Sequence, residues 1–370
     1  MTTIPLTPLV AQLPASVPFV GPEAQERQRG QPFKARIGAN ESVFGPSPKA
    51  VAAMRAAAAE AWMYGDPEAL ELRQALARHH GVPTEAVMAG EGIDGLFGTA
   101  VRLFVEPGVA VVTSLGAYPT FNYHVTGFGG RLVTVPYRDD HEDPEALLET
   151  ALVEGARLVF LANPDNPMAS WVTAERVQRL LDGLPSDCLL LLDEAYGDFA
   201  PDAALPAMQI ERPNLLRFRT FSKAHGLAGL RVGYVIGAPA VIDCFNKVRN
   251  HFGLGRVAQA GALAALQDQA YLRQVVAQVA EARAAIAAIA ADNGLTALPS
   301  ASNFVAVDCG GDGAFAGRVL AGLIDRGVFV RMPGVAPLNR CIRISAGRPA
   351  DLAVLAEALP QALAEARARG

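Results

Sequence analysis

Five short apolar runs, set apart by stretches of helical periodicity, constrain what this chain can fold into more than any other feature. They are AVMAG (86–90), AVVTS (110–114), RLVTVPY (131–137), RLVFLAN (157–163) and CLLLLDEAY (188–196). Among the intervening segments are DGLFGTAVRLF, PEALLETALVEG and TAERVQRLLDGL, each with the apolar spacing of a helix. A strand that is apolar on both faces must be covered on both, and strands joined through helices run parallel. The expectation is an α/β fold: a mostly parallel sheet with helices on each face. In such sheets ligands bind beyond the carboxyl ends of the strands.

The residues that carry chemistry fall at those ends. Gly90-Glu91-Gly92-Ile93-Asp94 follows one run and opens a helix, Asn163-Pro164-Asp165-Asn166-Pro167 follows another, and Asp193-Glu194-Ala195-Tyr196 ends a third. A further run, LLRFRTF (215–221), leads into Lys223, a glycine-rich turn at 226–229, and Arg231 at the head of RVGYVIG. This reads as strand, tight loop, strand, with a cation at each end of the loop. Thr220, Ser222 and two cations around a glycine loop suit a bound phosphate, and a desolvated lysine beside another cation is a usable nucleophile. Taken alone, the stretch is also compatible with a solvated hairpin bearing ordinary surface cations.

A length of 370 residues implies two or three domains. The composition is that of a soluble globular protein, and the longest helical stretch carries Arg, Gln and Glu throughout, so no segment reads as membrane-spanning. A net charge of −5 without a basic patch argues against nucleic acid or anionic membrane as partners. Cys188, Cys244, Cys309 and Cys341 are scattered, which predicts buried free thiols, with neither a metal site nor a disulfide framework. The opening MTTIPLTPLVAQLPASVPF lacks a basic n-region and an unbroken apolar core, so a cytoplasmic location is expected.

Three regions are expected in order. Residues 1–45 form a proline-punctuated arm and a substrate-facing segment, 46–248 a large domain, and 249–370 a small C-terminal α+β domain entered through a long helix that stops at Asn293-Gly294. Ser47 and Pro48 should cap the first helix of the large domain. Gly81 should end the next, with His79 and His80 in its last turn facing carbonyls.

The ordered series GPSP, YGDP, GxGxD, YPTF, NPxNP, DEAY, SKAxGLAGLRxG and IRIS, spread over roughly residues 36–348, is specific in combination. With it the chain resembles a fold-type I aminotransferase of class I/II, and most of all the histidinol-phosphate aminotransferase branch. The resemblance implies a large domain built on a seven-stranded sheet, and pyridoxal 5'-phosphate as cofactor. Lys223 would be the Schiff-base lysine and proton shuttle, and Asp193 would pair with the pyridinium nitrogen. Tyr196 and Asn166 would hydrogen-bond the ring's phenolic oxygen, and Phe121 would stack on its face. The amides of Gly92, Ile93 and Asp94, with Thr220, Ser222 and Arg231 opposite, would hold the phosphate. Tyr64 would reach the phosphate of a neighbouring subunit, making the active unit a homodimer. Arg343 would grip the substrate α-carboxylate, unless it is a salt-bridged arginine at a sheet edge. Arg331 would face the distal end of the substrate, and Asn40 and Asn303 would lie near it.

The implied reaction moves an amino group between a small-molecule donor, histidinol phosphate or an aromatic amino acid first among them, and a 2-oxo acid. A pyridoxal phosphate-dependent amino-acid-phosphate decarboxylase and a non-catalytic cofactor-binding regulator are the rival readings. Four positions depart from the resemblance: Phe44 where a tyrosine is usual, the continuation NPMAS after Asn166, His124 in place of an aromatic, and His225 beside the lysine, expected to pack under its loop.

Overall fold

The structure, a computed structural model, describes residues 4–14 and 20–369. Residues 1–3 and 15–19 of the expected arm, and Gly370, lie outside the described residues. The arm is more regular than its prolines imply. A four-residue helix α1 (Pro8–Ala11) is followed by α2 (Pro22–Arg29), with Pro22 in the first turn and Gly30 left-handed at the C-cap. Arg36, in the short strand β1 (Ala35–Arg36), pairs with Glu23 and Glu26 and fixes α2. Helix α3 (Pro48–Ala58) starts where expected, the Ser47 hydroxyl accepting the Lys49 N–H at 3.1 Å. Helix α4 (Leu70–His80) ends at Gly81, whose φ is 67°. Its His80 does not cap carbonyls: the ring turns inward to the Tyr234 hydroxyl at 2.9 Å, and burial drives its pKa down to about 2.

Seven strands then build the large sheet: β2 (Val87–Glu91), β3 (Ala110–Ser114), β4 (Arg131–Val135), β5 (Leu158–Ala162), β6 (Leu189–Asp193), β7 (Leu215–Thr220) and β8 (Val232–Gly237). Their order is β2-β8-β7-β6-β5-β3-β4, and β8 alone runs against the rest. Every residue of β3, β5, β6 and β8 is buried, as strands covered on both faces must be. One face packs Phe97, Phe121, Phe160 and Phe218 beneath α5 (Gly92–Phe104) and α6 (Pro119–Gly127). The other packs Leu147, Leu180 and Leu181 of α7 (Pro144–Glu154) and α8 (Ala174–Gly183) against Val159, Leu161 and Leu190.

After the short α9 (Pro239–Cys244), the expected single long helix is two: α10 (Arg256–Gln267) and α11 (Gln269–Asp292). They break at Asp268, whose carboxylate takes the Ser47 hydroxyl at 2.5 Å and the Lys49 ammonium at 3.2 Å. Ala258, Ala262 and Ala265 of α10 pack with Ala50, Leu72 and Val232 of the large unit. Val275, Val279 and Ile286 of α11 pack with Phe304, Leu355 and Leu359. Helix α11 is long and apolar enough by composition to cross a membrane, yet these residues are buried against the C-terminal sheet, and Arg283 donates to the Ser300 carbonyl at 2.8 Å. That sheet is antiparallel, β9 (Thr296–Ala297) beside β10 (Phe304–Asp308), with α12 (Gly313–Asp325) and β11 (Val328–Phe329) preceding its third strand β12 (Cys341–Ser345) and α13 (Pro349–Ala368) closing it. Strand β11 pairs in parallel with β1, so the N-terminal arm is held by the C-terminal unit.

Candidate active site

The carboxyl ends of β5, β6 and β7, the first turn of α5, the arm and β12 enclose a cavity of about 890 Å³. Lys223 lies just past β7, its Nζ 3.2 Å from the Asn40 carbonyl and 5.6 Å from the Tyr196 ring centroid. Burial lowers its pKa to about 8, and the guanidiniums of Arg343 and Arg231 add to that while Asp94 and Glu41 oppose it. The amine is thus far closer to its neutral, nucleophilic form at physiological pH than an exposed lysine is.

Beside it is a cradle for an anion. Arg231 has a left-handed backbone, φ 53°, that turns its guanidinium back over the loop, where Nη1 reaches the Ser222 hydroxyl at 3.3 Å and Nη2 lies 3.5 Å from Asp94. The Ser222 N–H and hydroxyl both engage Thr220 Oγ1, at 3.0 and 2.9 Å. The first turn of α5 opens on the same spot with unshared amides. Gly92, at φ 69°, holds a backbone that L side chains rarely adopt, and a Cβ there would push on Arg231 Nη2 at 2.4 Å.

Asp193 ends β6 at 5% exposure, its Oδ1 accepting the Ala195 N–H at 2.9 Å. Burial raises its pKa to about 7, with Asp94 and Glu194 adding and Lys223 opposing. A carboxylate so placed gains most from a cation facing it. The Tyr196 hydroxyl accepts a hydrogen bond from Asn40 Nδ2 at 3.0 Å, and burial holds the phenol protonated.

On the far wall, Arg343 donates through Nη1 to Asn166 Oδ1 and lies over the Phe304 ring at 5.3 Å. Its Nε is buried without a hydrogen-bond partner, and no carboxylate among the described residues pairs with it. Burial lowers its pKa to about 10, with Arg331 contributing. This is not a salt-bridged edge arginine; it is a desolvated cation whose Nε is left unsatisfied. Arg331 is bridged to it through the backbone, at 2.6 and 3.2 Å, and donates to the Val20 carbonyl at 3.1 Å.

Most of the residues singled out from the sequence meet here: Asn40, Ile93, Asp94, Asn166, Asp193, Tyr196, Thr220, Ser222, Lys223, Arg231, Arg331 and Arg343 all line the cavity. Gly92 lies directly behind Arg231. Phe121 does not face the site. It shares the buried side of α6 with Val125 and stacks on Phe160 at 4.5 Å, while Tyr118, at the N-cap of that helix, lines the cavity and donates to Asp94 at 3.4 Å. Asn303 also stands back from it, its Nδ2 bonded to the Asn40 carbonyl at 3.0 Å. Tyr64 lies outside the chain's own cavity, 77% exposed, its ring 4.8 Å from that of Phe252. Tyr118 and Ser345 were missed by sequence reasoning. An aromatic just before a first-turn proline, and a serine two along the strand from Arg343, were the available signals. His225 packs on Phe221 at 4.8 Å, as its expected place under the loop requires. His124 packs its ring against Gly98 of α5.

Residues 34–359 match the family described as aminotransferase class I and II. A histidinol-phosphate aminotransferase of Anaeromyxobacter sp. (strain Fw109-5) is 37% identical over 348 residues, 92% of this chain and 94% of that one. One from Roseiflexus castenholzii is 35% identical over 365 residues, 96% and 97% of the two chains. The crystal structure of the histidinol-phosphate aminotransferase from Sinorhizobium meliloti, in complex with pyridoxal-5'-phosphate, is 56% identical and aligns with a TM-score of 0.95 over 99% of this chain and 98% of that one.

Proposed function

The chain belongs to the class I and II aminotransferases, and from that premise we propose that it is a pyridoxal 5'-phosphate-dependent transaminase acting on histidinol phosphate or an aromatic amino acid, with a 2-oxo acid as acceptor. One observation carries the reading: a buried amine with its pKa near 8 shares a cavity with a buried acid, an anion cradle and a desolvated guanidinium that no carboxylate among the described residues pairs with. The residues present fit the cofactor, since Gly92 keeps its left-handed turn beside Arg231, and Arg231 with Ser222 and Thr220 lines the same cavity as Lys223 and Asp193.

When bound, the cofactor's ring supplies an electron sink for the bond broken at the donor's α-carbon. Asp193 would hold a proton on the ring nitrogen, and Tyr196 and Asn166 would direct hydrogen bonds at the ring oxygen. Thr220, Ser222, Arg231 and the first turn of α5 hold the phosphate. Lys223 would carry the proton between the donor's α-carbon and the cofactor carbon. Arg343 takes an anionic group of the donor in a forked pair, which orients the α-carbon toward Lys223.

Both proposed donors join an anionic group to a flat ring. The cavity supplies guanidiniums at Arg343 and Arg331, and an apolar wall of Leu115, Leu132, Leu320, Ile324, Met332 and Val335. The active unit of this reading is a homodimer in which Tyr64 serves the adjoining site.

The test is a panel of donors, histidinol phosphate, phenylalanine and leucine, each followed for 2-oxo acid-dependent turnover and for the cofactor's absorbance change. Lys223→Ala is expected to abolish turnover and the visible band of the lysine-bound cofactor; full activity in that variant overturns the reading. Carbon dioxide released from carboxyl-labelled donor as the main product would favour decarboxylation instead.

A further inference from the structure

Asn40 occupies an unusual place in the site. It is 2% exposed and adopts a left-handed backbone, φ 56°, which few non-glycine residues visit. That turn aims its carbonyl at Lys223 Nζ, 3.2 Å away, and its side-chain amide at the Tyr196 hydroxyl, 3.0 Å away. One residue thus sets the resting position of two groups in the proposed chemistry.

The Ser345 hydroxyl holds Asn40 there at two points. Ser345 Oγ accepts the Asn40 N–H at 3.0 Å and donates to Asn40 Oδ1 at 3.1 Å, closing a small ring between the two residues. The Ser345 N–H donates to the Ile37 carbonyl at 2.8 Å, and Asn303 adds its amide to the Asn40 carbonyl at 3.0 Å. Ser345 is itself 2% exposed and does not line the cavity. It stands two residues beyond Arg343 on β12, so the two side chains share one face of the strand. The strand that presents the anion-gripping guanidinium also carries the clamp on the lysine's acceptor.

We propose that Ser345 is a positioning residue for proton transfer by Lys223, acting through Asn40 by locking the turn whose carbonyl holds the lysine amine and whose amide holds Tyr196. The inference rests on the assignment of Lys223 as the proton carrier. Without the Ser345 hydroxyl the Asn40 turn loses the bonds to its N–H and its side-chain oxygen, and the Asn303 amide on its carbonyl is left to hold it. The amine then has a less well-placed acceptor, while Arg343 keeps its place and its grip. The defect belongs in the proton-transfer step and not in donor binding.

The experiment compares S345A with S345T, which keeps the hydroxyl on a strand that tolerates β-branching. In the holoenzyme, S345A is expected to lower kcat about tenfold with donor KM changed less than about twofold, and to raise the α-deuterium isotope effect on kcat as proton transfer becomes more limiting. In the cofactor-free protein, the pH midpoint for reaction of Lys223 with pyridoxal should fall by roughly half a unit, because one acceptor of the ammonium form is lost. S345T should restore all three. An S345A enzyme with wild-type kcat and isotope effect, or one impaired only in KM, overturns the proposal. If S345A does not fold, S345C, with similar volume and a weak donor, is read by the same measures and the same two outcomes. Failure of the underlying reading is separable: Lys223→Ala would then retain turnover whatever the Ser345 variants do.

Discussion

Asp193 and Lys223 are both pushed toward neutrality by the same burial, and this makes their roles testable without substrate. The folded-state pKa of Asp193 is raised, so folding favours the protonated acid. That contribution is present at low pH and is lost as pH climbs from the ordinary carboxylate range, about 4, to about 7. Asp193→Asn, which mimics the protonated form, should therefore raise the Tm of the cofactor-free protein more at pH 8 than at pH 5. A gap independent of pH would show that Asp193 is not strained by burial. In the holoenzyme the same substitution should lower kcat by on the order of 10²-fold, since the ring nitrogen loses its anionic partner. Arg343→Lys keeps the charge but loses the planar fork, so donor KM should rise about tenfold, ~1.4 kcal/mol, with a smaller change in kcat. An unchanged KM would place the carboxylate grip elsewhere. At this scale the sequence was legible as placement: Lys223, Asp193 and Arg343, singled out by residue type, line one cavity. It was not legible where helical phase decided which way a ring points: Phe121 and Tyr118 flank one proline, and only the buried side of α6 tells them apart.

Among the elements, the strands could be read directly because an all-apolar run of five or so residues admits few other fates in a covered sheet. The break between α10 and α11 could not. Ala-rich periodicity runs straight through Asp268 and Gln269, and neither residue is a helix breaker. The cause lies more than two hundred residues away, in the Ser47 hydroxyl and Lys49 ammonium that draw the Asp268 carboxylate to the start of α3. Ser47 therefore serves two helices, as the N-cap of α3 and as a donor to the junction. Ser47→Ala should cost about 2 kcal/mol of unfolding free energy in urea titrations, above the ~1 kcal/mol of an ordinary cap. A loss no larger than a cap would mean that the junction stands without it.

For the whole molecule, the question is what lies against Tyr64 and Phe252, two large aromatic rings in tilted contact and exposed, at 77% and 53%. The proposed homodimer covers them with the mouth of a neighbouring site. Mixing subunits tests this. Tyr64→Ala protein should bind cofactor weakly and Lys223→Ala protein should be inactive, but hybrids of the two should recover activity, because one site then combines an intact Lys223 with an intact Tyr64 from the other subunit. Hybrids no more active than the Tyr64→Ala homodimer would place Tyr64 outside the adjoining site. Architecture at this scale was foreseen from strand and helix alternation. The dependence of the arm on the far end of the polypeptide was not, because β1 and β11 are two residues each and too short to leave a pattern.

That pairing has a consequence for how the protein is made. The ribosome releases Asn40 early, yet the strands that seat it, β11 and β12, emerge about three hundred residues later. Between the emergence of β8 and that of β12 the nascent sheet can form while Lys223 lacks its neighbouring carbonyl. A chain arrested before residue 345 should bury its strands and still fail to trap the aldehyde as the finished protein does, so competence arrives only with the last stretch of polypeptide.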